Sequence, residues 1–192
     1  MKSLDELRAE HDGIKVMLNI LSAIITQAEQ GKKINTEHLD QILEFITVFV
    51  DKCHHGKEED LLFPALKVAG VAEQGGPIGV MLNEHTEGRG FVQAMSAALE
   101  RYNAGDETAI HVFTESARHY INMLHVHIDK ENTVLYPMAE SLLSDATDAQ
   151  MTEGFETIER ERIGQGKHEQ FHSMLHQLKD QYLQATEVAT TV

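Results

Sequence analysis

The chain has 192 residues, with 16 Lys and Arg against 31 Asp and Glu, a formal charge of −15 when histidines are neutral. Its 42 % hydrophobic and 24 % charged residues describe an ordinary folded, soluble domain long enough to bury a core. The acidity argues against nucleic acid or an anionic membrane as partner, because phosphate binding needs clustered Lys and Arg. No stretch approaches the roughly 18 uncharged apolar residues of a membrane span. The single cysteine, Cys53, excludes an internal disulfide and fits a reducing, cytoplasmic location. The N-terminus MKSLDELRAEHD has no apolar run, so no secretory leader is expected. Twelve histidines are the unusual feature.

Only three prolines occur, and the pattern between them has the helical period with no alternating strand. A first helix is predicted over about 3–30, with Ser3 and Glu6 as a capping box and Leu4, Leu7, His11, Ile14, Leu18 and Leu21 as its buried stripe. Gly31 ends it. A second runs from Asn35–Thr36 to about Val68, kinked or terminated at Pro64. Pro77 opens a third that reaches about Asn103, and Gly105 breaks it. A fourth covers about Glu107 to Leu142. A fifth, interrupted by Gly154, Gly164 and Gly166, reaches about Leu183, and the tail 185–192 is expected to fray. The expected fold is all-α: an antiparallel, up-down-up-down four-helix bundle at 1–142, with an additional C-terminal helical extension at 143–192 packing on it.

The two halves repeat. Residues 54–64 read HHGKEEDLLFP and residues 127–137 read HIDKENTVLYP. Glu10-His11 stands 43 residues before His54, and Glu84-His85 stands 42 before His127, counted to the histidine in each case. Each half is therefore a helical hairpin with one His on its first helix and His-x-x-x-Glu on its second. Residues i and i+4 share a helix face, so His54 points with Glu58 and His127 with Glu131. Both pairs fall on apolar, inward stripes: Ile46, Val50, Leu62 in one and Tyr120, Leu124, Leu135 in the other. Buried carboxylates cost several kcal/mol each unless compensated. Two divalent ions would compensate them, and four imidazoles with two carboxylates suit iron or manganese.

These motifs (EHD at 10–12, HHxxEExxLFP, an EH on the third helix, HxxxENxVLYP) resemble the hemerythrin-like, HHE cation-binding family over residues 1–142. The resemblance implies a non-haem di-iron centre, oxo- or hydroxo-bridged, with manganese or zinc as other occupants. Its ligands would be His11, His54, Glu58, His85, His127 and Glu131, with Glu58 and Glu131 bridging. It implies a protein that binds or responds to a diatomic or oxidant such as O2, NO or peroxide. The alternatives are iron handling or iron-sulfur cluster repair, with a redox or iron-sulfur protein as partner, and a di-iron redox enzyme. Oxygen-carrying members use five histidines, with a second His one turn away on the third helix. Here the corresponding positions are Met81 and Arg89, and Glu131 follows His127 by four residues rather than five. Both departures resemble the branch that responds to nitric oxide or oxidative stress.

Three further residues are weaker candidates for the metal. His55 and Glu59 repeat the i, i+4 spacing about 100° round the helix. They offer a pair that could replace His54 and Glu58, or an extra ligand in His55; the alignment of the repeats favours His54/Glu58 and a solvated His55. His168, on a stripe with Phe171, Leu175, Leu178 and Tyr182, is a candidate for the missing fifth histidine, against a plain packing role. Cys53 reads as a buried thiol. Gly88 and Gly90 read as a close helix crossing or as a gap for a diatomic. Glu10, Asp12, Glu84 and Glu87 are candidates to accept the second ring N–H of a ligand histidine.

Overall fold

The computed structural model describes residues 1–164 and 166–183, and the described residues contain helices and no strand. The tail 185–192 lies outside them. Helix α1 spans Lys2–Glu29 and stops at Gly31, whose φ of +73° only glycine adopts without strain. Helix α2 covers 36–68 without a break: α-helical Thr36–Phe45, π-helical Ile46–His55 and Glu58–Leu62, then Phe63–Val68. Asn35 caps it by accepting the Glu37 N–H at 3.0 Å. Helix α3 spans Pro77–Asn103. Helix α4 covers 109–142, with a π-helical Glu131–Leu135 between Ala109–Lys130 and Tyr136–Leu142.

Neither Pro64 nor Pro137 ends its helix. Proline has no N–H to donate and its ring presses on the carbonyl four residues back. In both hairpins the turn just before the proline is widened to the π form, which carries the chain past it. The same device stands at the same place in each copy of the repeat.

The predicted fifth helix is two. Helix α5 covers 145–163, with Asp145–Ile158 α-helical and Glu159–Ile163 π-helical, and α6 spans Lys167–Tyr182. Gly164 and Gly166, at φ +89° and +78°, separate them. Gly154 does not interrupt α5; a Cβ there would come within 2.7 Å of Leu61 Cδ1, so the glycine allows close packing on α2. The Ser3–Glu6 capping box is also absent. Ser3 lies inside the first turn of α1, and the free N–H groups of Lys2 and Ser3 donate to Asp148 of α5 at 2.9 and 3.0 Å. An acidic side chain from another helix thus takes the place of the local cap at the positive end of α1.

α1 packs against α2 and α4, and α3 packs against α2 and α4, with α3–α4 the most extensive pairing. α5 and α6 lie against α1 and α2. The apolar interior is divided. One cluster gathers Ile14–Ile25 side chains of α1 with Phe45, Val50, Met95, Phe113, Tyr120 and Leu124, and takes in Phe171, Leu175 and Tyr182 of α6. The other gathers Leu4, Leu7, Leu62, Phe63, Ile78, Met81, Leu135 and Tyr136 with Met151 and Phe155 of α5. In sequence the inward histidines and glutamates fall at the junction of the two clusters on α1, α2, α3 and α4.

Candidate metal centre

His11, His54, Glu58, His85, His127 and Glu131 are each at most 1 % exposed and converge in this layer. Their donor atoms form two groups, each within 4.8 Å: His11, His54, Glu58 and Glu131, and His85, His127, Glu58 and Glu131. The Nε2 atoms of His11 and His54 are 3.0 Å apart, and those of His85 and His127 are 3.1 Å apart. Glu131 reaches both groups, with Oε2 3.1 Å from His11 Nε2 and Oε1 3.0 Å from His127 Nε2. Glu58 Oε2 lies 3.5 Å from His85 Nε2 and 3.8 Å from His54 Nε2.

The other ring nitrogens explain why the Nε2 atoms face inward. His54 Nδ1 contacts Glu10 at 2.7 Å, His85 Nδ1 contacts Glu59 at 2.7 Å, His127 Nδ1 contacts Glu84 at 2.9 Å and His11 Nδ1 contacts Asn132 Oδ1 at 3.1 Å. A carboxylate can only accept, so the proton sits on Nδ1 and a neutral imidazole leaves its Nε2 lone pair bare. Bare lone pairs then face one another and the carboxylates across the layer. Glu58 Oε2 and both Glu131 oxygens are buried with no hydrogen-bond partner among the described residues. A cation between these atoms removes both the repulsion and the unmet acceptors. The residues therefore fit a pair of metal ions.

The neighbours of each group set its charge. Burial disfavours charge on His85, but the adjacent carboxylates of Glu58 and Glu59 outweigh it and raise its pKa to about 9. Burial likewise opposes charge on Glu131, yet His127 and His11 hold its carboxyl well below the ordinary range. Tyr136 is driven well above the usual phenol range by burial and by Glu58, so it keeps its proton and donates to Glu58 Oε1 at 2.7 Å.

Behind the histidines stands a lysine in each hairpin. Lys57 is fully buried and its Nζ reaches Glu10 at 2.5 Å, Glu159 of α5 at 2.6 Å and Glu6 at 2.7 Å. Lys130 donates to Glu84 in the same way. Each lysine thus holds the carboxylate that holds the second histidine of its hairpin. Glu10, Cys53 and Glu159 also come within metal-binding distance of one another, but Lys57 already donates to both carboxylates there.

The weaker candidates separate. Glu59 is not in either group; it is the Nδ1 acceptor of His85 and also takes Arg89. His168 stands apart, its ring 5.4 Å from Phe49 and 5.0 Å from His172, at a cavity of about 440 Å³ between α1, α2 and α6. His55, expected on a solvated face, is 5 % exposed and within reach of His85 and His127. The α-helical period misplaces it, because the wider π turn over Ile46–His55 sweeps less angle per residue and turns neighbours toward the same side. Of the four expected N–H acceptors, Glu10 and Glu84 serve, each for the histidine of the other helix in its hairpin. Asn132 and Glu59 are missed; their signal is their matching place just after Glu131 and Glu58. Gly88 is a close crossing, where a Cβ would lie 2.9 Å from Met123 Cε, whereas Gly90 has open space beside it.

The description of the hemerythrin HHE cation binding domain matches residues 2–139. Uncharacterized proteins of Mycobacterium tuberculosis and Mycobacterium bovis are 27 % identical over 161 residues, which cover 84 % of this chain and 62 % of each relative. The iron-sulfur cluster repair protein YtfE of Salmonella newport is 28 % identical over 120 residues, 57 % of this chain and 54 % of that protein. The chain thus spans less than two thirds of the length of these relatives. No solved structure matches it.

Proposed function

Since the chain belongs to the hemerythrin HHE cation-binding family, we propose that its buried layer holds two iron ions inside an antiparallel four-helix bundle at 1–142. His11 and His54 would hold one ion, His85 and His127 the other, with Glu58 and Glu131 shared. The observation that carries this reading is that the two donor groups have both carboxylates in common. Mixed imidazole and carboxylate donors suit iron or manganese better than thiolate-seeking metals, with zinc a further occupant.

When bound, the iron pair would supply Lewis-acidic and redox-active positions for a diatomic or oxidant such as O2, NO or peroxide. The chain's own residues do the rest. Glu10, Asn132, Glu59 and Glu84 fix the tautomer and angle of the four imidazoles. Tyr136 keeps a proton on its hydroxyl beside Glu58, where it can donate a hydrogen bond. The apolar clusters on either side keep bulk water away. A second reading, iron handling or repair of iron-sulfur clusters with an iron-sulfur or redox partner, is favoured by the likeness to YtfE. The extension at 143–192 would act as a cover on this bundle, and the compartment would be the cytoplasm. No helix among the described residues is long and apolar enough to cross a membrane.

Metal analysis of protein from iron-supplemented cells, with optical spectra in air, after reduction, and with NO, tests the proposal. Two irons per chain and bands that bleach on reduction and shift with one of the gases are expected. Zinc alone, or a folded protein that takes up no metal, would overturn it.

A further inference from the structure

Outside the six residues, one buried histidine has no assigned work. His55 is 5 % exposed, and its Nε2 has no hydrogen-bond partner among the described residues. Its Nδ1 lies 3.4 Å from Asp51 Oδ1, the same kind of acidic acceptor that Glu10, Glu59 and Glu84 provide for their histidines. The proton is therefore drawn to Nδ1, and the Nε2 lone pair is the bare one. The ring stacks on His85 with centroids 3.8 Å apart and planes 14° from parallel. A donor nitrogen of His55 lies within 4.8 Å of one from His85 and one from His127. The alignment of the hairpins puts Ile128 at the matching position in the second copy.

We propose that His55 supplies a fifth imidazole to the centre, on the His85–His127 side, so that the two metal positions are chemically unequal. This rests on the two-metal reading above. One position then has three imidazoles, and the other has two, with the Tyr136 hydroxyl 3.4 Å from His11 Nε2 on that side. His55 also lines a cavity of about 330 Å³ together with Gly88, Arg89 and Tyr120, and the buried Tyr120 hydroxyl likewise has no partner among the described residues.

The test is Mössbauer spectroscopy of the full chain loaded with 57Fe, with chelator-driven iron release as a second readout. Wild-type protein is expected to give two iron environments of equal weight. In His55→Ala one of the two shifts, and the iron that carries it leaves at least about tenfold faster. His55→Gln, which fills the same space, guards against a folding defect and is expected to shift the same environment. Added imidazole, small enough for the cavity, is expected to return the His55→Ala spectrum toward wild type. Two irons with unchanged environments and release rates in both variants would overturn this inference and leave the two-metal reading intact. A wild-type chain that takes up no iron would overturn both.

Discussion

The two hairpins are the same machine on the inside and different objects on the outside. Inside, five residues of one have their counterparts in the other: Glu10 and Glu84, His11 and His85, His54 and His127, Lys57 and Lys130, Glu58 and Glu131. Even the crossings match. Glu59 of the first hairpin steadies His85 of the second, and Asn132 of the second steadies His11 of the first. Phe63 stacks on His85, and Tyr136 stacks on His11. Outside, α5 and α6 lie mainly against the first hairpin. Cys53 is fully buried, while its counterpart Val126 is 58 % exposed; Val80, Val112 and Val134 are exposed as well. Lys57 is sealed under Glu159, whereas Lys130 stays 35 % exposed. The donor set needs two-fold symmetry only around the shared carboxylates, so the surfaces have been free to diverge.

That comparison can be broken most severely at the shared carboxylates. Glu58→Gln and Glu131→Gln are each expected to weaken binding of both irons by more than about a hundredfold, measured as metal content after dialysis against a chelator. One iron retained in either variant would mean that the carboxylates are not shared. Next in size is the buried lysine. Lys57→Met strands three carboxylates and is expected to cost about 3–5 kcal/mol in denaturant unfolding. Lys130→Met, at the exposed copy, should cost less than about 1 kcal/mol; equal losses would contradict the difference in cover. Tyr136→Phe makes the second hairpin match Phe63 of the first. It removes a hydrogen bond to a carboxylate, an expected loss of about 1.5–3 kcal/mol with both irons retained.

The mildest test leaves the fold alone. Burial, with Glu10 adding to it against the pull of Lys57, pushes the Cys53 thiol up to about 12. Below that pH the thiol form dominates. Alkylation of the native protein at pH 8 is therefore expected to run about a thousandfold slower than for a free cysteine and to quicken as pH rises. Fast labelling at pH 8 would show that α5 does not seal the first hairpin.

Much of this was legible in the sequence because the signals are local. Asn35, Pro77 and Gly31 act within a turn of where they stand, and the helix bounds follow them. The six inward residues follow from a spacing repeated twice. What escaped depends on partners distant in the chain. Asp148 replaces the Ser3 cap from 145 residues away. Gly154 packs where Gly164 breaks, and only Leu61 tells the two apart. His55 escaped because a π turn changes the angle between neighbours, and no residue type announces such a turn over Ile46–His55.

The widened turns before Pro64 and Pro137 also serve as a ruler for the repeat. They bring the two hairpins into register, and whatever stands at the same distance from them in both copies belongs to the common plan. By that measure the histidines, the glutamates, the supporting lysines and the wide turn at each proline are shared. The long π run that carries His55 and the hydroxyl of Tyr136 each stand on one side only, and α5 and α6 lie mainly on the first hairpin. The molecule repeats itself where its polar groups meet and is individual where the two copies part.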